Sequence, residues 1–127
     1  MSVIREAGED YLEAILQIEN ENDCVRSVDV ANRLGVSRPS VNKAIGILRE
    51  AGMVEQQPYG DIRLTEQGRE RAQVVSRRHA LIKGFLVEVL RVEESVAEQD
   101  ACKMEHAVSD QTMTRWAQFV SGYLENE

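Results

Sequence analysis

Cys102, Glu105 and His106 bring a thiol, a carboxylate and an imidazole into one short segment, at spacings of three and four that one face of a helix presents together. A donor set of this kind suits a divalent transition metal. Asp10 and Glu13 stand three residues apart near the start of the chain, and His79 falls inside a second helical pattern. Each of these residues alone has a plain reading: an exposed acidic face, an inert thiol, a hydrogen-bonded histidine in an apolar seam. Together they would set four potential anions, Asp10, Glu13, Cys102 and Glu105, against one another. A divalent cation turns that repulsion into attraction. Cys24 has no companion of this kind and reads as structural or incidental.

The elements that must carry these groups follow from periodicity and punctuation. Tyr11, Leu12, Ile15 and Ile18 recur at helical spacing until the polar run 19–23 ends the pattern. Ser27 is the expected N-cap of a short helix bearing Val30, Ala31 and Leu34, and Gly35 ends it. Ser37 caps the next helix, with Pro39 tolerated in its first turn and Val41, Ile45 and Leu48 on its apolar side up to Gly52. Two helices joined by Gly35-Val36-Ser37 have the spacing of a helix-turn-helix. Residues 53–57 and 62–64 then read as two short strands around a Pro58-Tyr59-Gly60-Asp61 turn, which makes a wing.

Thr65 is expected to cap a long helix whose seam is Ala72, Val75, His79, Ile82, Leu86 and Val89. The run Ser95-Val96-Ala97-Glu98 reads as a capping box opening another helix, with Ala97, Ala101, Met104 and Val108 along one edge and Glu98, Cys102, Glu105 and Ser109 along another. Ser109-Asp110 breaks and recaps the chain before a last helix with Met113, Trp116, Val120 and Leu124 in register and Ala117 and Tyr123 beside them. The fold class is therefore mainly α, with a winged helix-turn-helix.

Charge divides the chain in three. The net charge of −7 over 127 residues is made of −6 in residues 1–23, +5 in residues 24–91 and −6 in residues 92–127. Phosphate neutralisation depends on the local field, so a basic middle between acidic ends fits a DNA-facing module beside carboxylate-rich helices. With 43% apolar and 29% charged residues, no span long enough for a bilayer and no signal-peptide pattern at the start, the chain reads as a cytoplasmic globular protein that has no membrane partner. Its two cysteines are too few for a disulfide framework.

In the second helix of the turn, Ser37, Ser40 and Asn42 offer hydrogen bonds, Arg38 and Lys43 are cationic, and the ring of Pro39 can touch a thymine methyl. The first turn of such a helix enters the major groove of double-stranded DNA.

Glu9-Asp10-Tyr11-Leu12-Glu13, the run from Val30 to Val41, Pro58-Tyr59-Gly60, Arg78-His79 and Glu105-His106 resemble the DtxR/MntR family of metal-dependent transcriptional repressors. The similarity covers nearly the whole chain. It implies a homodimer with a winged helix-turn-helix DNA-binding domain, residues 1–71, and a helical metal-binding and dimerisation domain, residues 72–127. It also implies a short member, without the SH3-like domain of longer relatives. Carried over residue by residue, it gives Asp10, Glu13, His79, Cys102, Glu105 and His106 as ligands for iron(II) or manganese(II), one or two ions per subunit.

Two positions mix the subfamilies. Asp10 resembles manganese-type members and Cys102 iron-type ones, and the thiolate puts iron slightly ahead. Lys83 replaces an acid that serves an ancillary site in iron-type relatives, Ala107 stands where a manganese-type relative has a second histidine, and Glu98 is placed to compensate. The implied function is a repressor that takes metal as corepressor, occupies operator DNA and controls metal-homeostasis genes, with no organic substrate. A metal-independent winged-helix regulator sensing an organic ligand or redox state through Cys102 is the alternative. An enzyme is not expected, because no motif offers a nucleophile with an orienting partner.

Overall fold

The computed structural model describes residues 6–58 and 60–125, in two compact units, Met1–Val74 and Val75–Glu127. Among the described residues the order is α1 (Glu6–Glu21), α2 (Ser27–Leu34), α3 (Arg38–Glu50), β1 (Val54–Gln56), β2 (Ile62–Leu64), α4 (Glu66–Glu88), α5 (Glu94–Met104) and α6 (Asp110–Glu125). Helix α4 begins in the first unit and ends in the second. No helix among the described residues is long and apolar enough to cross a membrane.

In the first unit, Leu12, Ile15 and Ile18 of α1 are buried with Val30 of α2 and with Val41, Ile45 and Leu48 of α3. Gly35 takes φ 68°, a left-handed conformation that other residues adopt at a steric cost, so the chain turns sharply between α2 and α3. Ser37 then caps α3, its Oγ accepting from Ser40 N at 3.2 Å, with Pro39 in the first turn. Strands β1 and β2 pair antiparallel, Val54 opposite Leu64 and Gln56 opposite Ile62, with Glu55 and Arg63 on the outer face. The first strand is shorter than the sequence implies, because Met53 and Gln57 lie outside the ladder; Tyr59 lies outside the described residues.

The wing is tied down from a distance. Asp61, only 3% exposed, accepts a hydrogen bond from Val25 N at 3.1 Å and one from Arg63 Nε at 2.9 Å, while Ile62 N donates to Val25 O. Thr65 caps α4 as expected: its Oγ1 accepts from Gly68 N and donates to Gly52 O. Gly68 is demanded by contact, since a Cβ there would stand 1.9 Å from Met53 O.

In the second unit, Ile82 and Leu86 of α4 are buried with Ala97, Ala101 and Met113, and Phe85 packs edge-on against Trp116 with ring centroids 5.3 Å apart. Helix α4 stops at Glu88, so Val89 leaves the expected seam and is only half-buried. Ser109 caps α6 by accepting from Thr112 N, and along α6 Met113 is buried, Trp116 and Val120 half-buried, and Ala117 and Tyr123 exposed. The Leu124 side chain lies outside the described residues.

Two expected caps are overturned. Helix α2 is entered through Arg26, whose backbone N–H is taken by the Asp29 carboxylate at 3.0 Å, and Ser27 bonds to Asn42 instead. Helix α5 is entered through Glu93, so Ser95 already lies inside the first turn, its Oγ donating to Glu93 Oε1, and no capping box with Glu98 forms. At α2 an acidic neighbour takes the exposed donor in place of serine; at α5 the serine hydroxyl is itself taken up by Glu93.

Candidate metal centre and nucleic-acid interface

Helix α5 does not carry all three donors that open the sequence pattern. It ends at Met104, and Glu105 and His106 belong to the turn that follows, which corrects the expectation of one helical face. Glu105 still has helical dihedrals, φ −60° and ψ −24°, and its N–H bonds to Ala101 O. Its side chain is therefore delivered inward, fully buried, while Cys102 one turn earlier is exposed.

His79, on α4, is the centre of this unit's chemistry. Its Nδ1 lies 2.8 Å from Glu105 Oε2 and its Nε2 lies 2.8 Å from Glu98 Oε2. Cys102 Sγ is 3.9 Å from Nδ1, and His106 Nε2 is 3.3 Å from Glu105 Oε1. His79, Glu98 and Cys102 each offer one ligand atom, all within 4.8 Å of one another. An imidazole nitrogen holds a metal through its lone pair, so an ion claiming either nitrogen takes the place of that nitrogen's contact with a carboxylate. Imidazole, carboxylate and thiol side by side fit a divalent transition ion.

Burial pulls the Glu98 carboxyl upward, but its hydrogen bonds to His79 and Lys83 outweigh this and hold its pKa below the ordinary carboxylate value. The turn itself is clamped by Arg78, the neighbour of His79 on α4. Its guanidinium donates to Glu105 O at 2.9 Å and Val108 O at 2.7 Å and pairs with Asp110. Arg78 enters the sequence reading only inside a motif; the signal available there was a cation next to the seam histidine.

Asp10 and Glu13 stand on α1 in the first unit, Asp10 half-buried and Glu13 only 9% exposed. That is far more enclosure than an acidic surface face gives. Arg71 of α4 pairs with Glu9 Oε2 at 2.6 Å, steadying the acidic turn that precedes them. Cys24 is exposed.

On α3, Ser37, Arg38, Pro39, Ser40, Asn42 and Lys43 are all exposed, while Val41, Ile45 and Leu48 bury the opposite side. Residues 4–62 match the N-terminal DNA-binding domain of the iron dependent repressors, and residues 65–126 match their metal-binding and dimerisation domain. The chain belongs to the iron-dependent repressor family, that of DtxR and MntR. Within this family it is 39% identical to the transcriptional regulator MntR of Escherichia coli O6:H1, over 91% of this chain and 74% of that protein. It is 38% identical to an uncharacterised HTH-type transcriptional regulator of Methanocaldococcus jannaschii, over 91% of this chain and 93% of that one. A solved manganese-dependent transcriptional repressor in complex with manganese superposes with a TM-score of 0.82 at 34% identity, covering 90% of this chain and 52% of its own. The chain thus spans about half the length of the solved repressors it matches.

Proposed function

We propose that this member of the iron-dependent repressor family represses transcription by binding operator DNA as a homodimer, with iron(II) or manganese(II) as corepressor. In this reading residues 1–71 read DNA, residues 72–127 bind metal and dimerise, and the protein works in the cytoplasm without enzymatic activity or an organic substrate. The observation that carries it is His79 held between the Glu98 and Glu105 carboxylates with the Cys102 thiol beside it, in a chain that leaves five polar or cationic side chains and the Pro39 ring in the open at the start of α3.

Asp10, Glu13, His79, Cys102, Glu105 and His106 are the proposed ligands. A bound divalent ion supplies positive charge that several of these carboxylates and the thiolate share. His79 and His106 would supply nitrogen donors, Asp10, Glu13 and Glu105 carboxylate oxygens and Cys102 a sulfur to such an ion. The two α3 helices of the dimer are then held about 34 Å apart, one helical turn of DNA. The ligands act only through their preference for that arrangement; moving the population from about 1% to about 99% competent requires a differential affinity of about 5 kcal/mol. Ser37, Arg38, Pro39, Ser40, Asn42 and Lys43 make the phosphate and base contacts, and genes of metal homeostasis are the target class.

The test is the affinity for a duplex selected by the protein from a random DNA library, measured in manganese(II), in iron(II) under anaerobic conditions and in chelator. Binding at least about 100-fold tighter with metal is expected. Equal affinity in chelator would remove the metal from the mechanism and leave a regulator sensing through Cys102.

A further inference from the structure

Beside His79 the structure holds a cation of its own. Lys83 follows His79 by one turn on α4, and its Nζ lies 3.2 Å from Glu98 Oε2 and 3.6 Å from Glu94 Oε1. That same Glu98 oxygen is the one 2.8 Å from His79 Nε2. On α5, Glu94, Glu98 and Cys102 recur at intervals of four, so two carboxylates and a thiol stack along one side of the helix, facing an imidazole and an ammonium from α4. The Lys83 ammonium thus sits between the Glu94 and Glu98 carboxylates, and Glu98 also touches His79 Nε2: two carboxylates and a nitrogen, the donor types of a divalent-ion site.

We infer that the Lys83 ammonium occupies the cation position of a second metal site built from Glu94, Glu98 and His79 Nε2, so that this chain takes one ion per subunit and uses Glu98 to position His79.

The inference deepens the metal-sensor reading and rests on it. A lysine ammonium is a compact point charge on a flexible stem, and it neutralises Glu98 without demanding the fixed geometry of an ion. Glu98 hydrogen-bonded to His79 Nε2 orients the ring so that Nδ1 is turned toward Glu105, the arrangement in which an outer carboxylate steadies a ligating imidazole. A divalent ion arriving at Glu98 meets a like charge within about 5 Å, and even at a water-like dielectric that weakens its binding by about tenfold or more. The half-exposed lysine can be replaced without opening the core, since its side chain is 32% exposed.

Equilibrium dialysis of the whole chain against manganese(II), with elemental analysis of the bound ion, tests this on the parent and on Lys83→Met, Lys83→Glu and the double variant Lys83→Glu/Glu98→Gln. The parent should saturate at one ion per subunit. Lys83→Met and Lys83→Glu should take a second, bound at least about tenfold more tightly in Lys83→Glu. The double variant should return to one, which ties the new ion to Glu98. A parent that takes two ions, or Lys83 variants that stay at one, overturns the inference while leaving the metal sensor intact. A parent that takes none overturns the metal-sensor reading itself.

Discussion

Glu105 is the residue at which ligation and folding can be separated. Its carboxylate is fully buried, 2.8 Å from His79 Nδ1 and 3.3 Å from His106 Nε2. The His79 contact is a hydrogen bond to a carboxylate worth about 1.5–3 kcal/mol at most, set against a comparable cost of keeping that carboxylate out of water. Glu105→Gln retains the shape and one acceptor oxygen, so ion-free stability should change by less than about 2 kcal/mol. Metal binding is another matter. Four-ligand protein sites bind with about 10–16 kcal/mol, about 3 kcal/mol per ligand, so losing one anionic donor weakens the ion by about 100-fold. At a metal concentration 1,000 times the parent's Kd, the stabilisation by metal is about 4 kcal/mol; after a 100-fold loss it is about 1.4 kcal/mol. For a chain of this size the difference amounts to about 10 °C of metal-induced rise in Tm. Differential scanning calorimetry of parent and variant, with chelator and with manganese(II), reads both numbers. A variant whose Tm still rises with metal as far as the parent's would refute the ligand role, and one already unfolded in chelator would refute the claim that the carboxylate is not needed for folding.

Three further outcomes follow from the same geometry. Lys43→Ala should weaken operator binding and lower the slope of log affinity against log salt by about one, with metal uptake unchanged; fluorescence anisotropy across a salt series checks this, and an unaltered slope removes Lys43 from the phosphate contacts. Because a thiol and imidazoles must be deprotonated to hold an ion, uptake should release protons, visible as a calorimetric binding heat that depends on the buffer's ionisation enthalpy. Gly68→Ala should destabilise the first unit by about 1–3 kcal/mol in urea unfolding, since the added methyl meets the Met53 carbonyl and α4 can recede only by losing the Thr65 cap.

The parts of the fold that were legible in the sequence are those set by near neighbours. Gly35 and Ser37 stop one helix and start another within three residues, and that punctuation specifies the helix-turn-helix whatever lies around it. The wing shows the period-two alternation of Val54, Ile62 and Leu64 directly. What escaped is set by partners far along the chain. Asp61 reads as a turn residue, yet it is buried because Val25, 36 residues earlier, donates to it. Gly68 carries no signal of its own in the sequence, yet its missing side chain is what lets α4 start against Met53. Ser27 and Ser95 read as caps, but capping is a competition for a few exposed N–H groups, and Asp29 took the donor at Arg26.

The same distinction explains why candidate ligands could be proposed from sequence while their arrangement could not. Residue type already fixes which side chains can hold an ion, so Cys102, Glu105 and His106 stand out as soon as they are close in order. Nothing between Ala101 and Ser109 is a glycine or proline, however, so no local signal ends α5 at Met104. The end is imposed by Arg78, which pulls the carbonyls of Glu105 and Val108 toward α4 and thereby satisfies acceptors that a continuing helix would have used. Glu105, still helical, faces His79, and the turn that follows it carries His106 inward, away from the line of the exposed Cys102. An arginine beside the seam histidine thus converts a linear run of donors into a converging one, and an Arg78→Lys substitution, which keeps the charge but cannot reach two carbonyls and Asp110 with one planar group, should loosen the ion without removing any ligand.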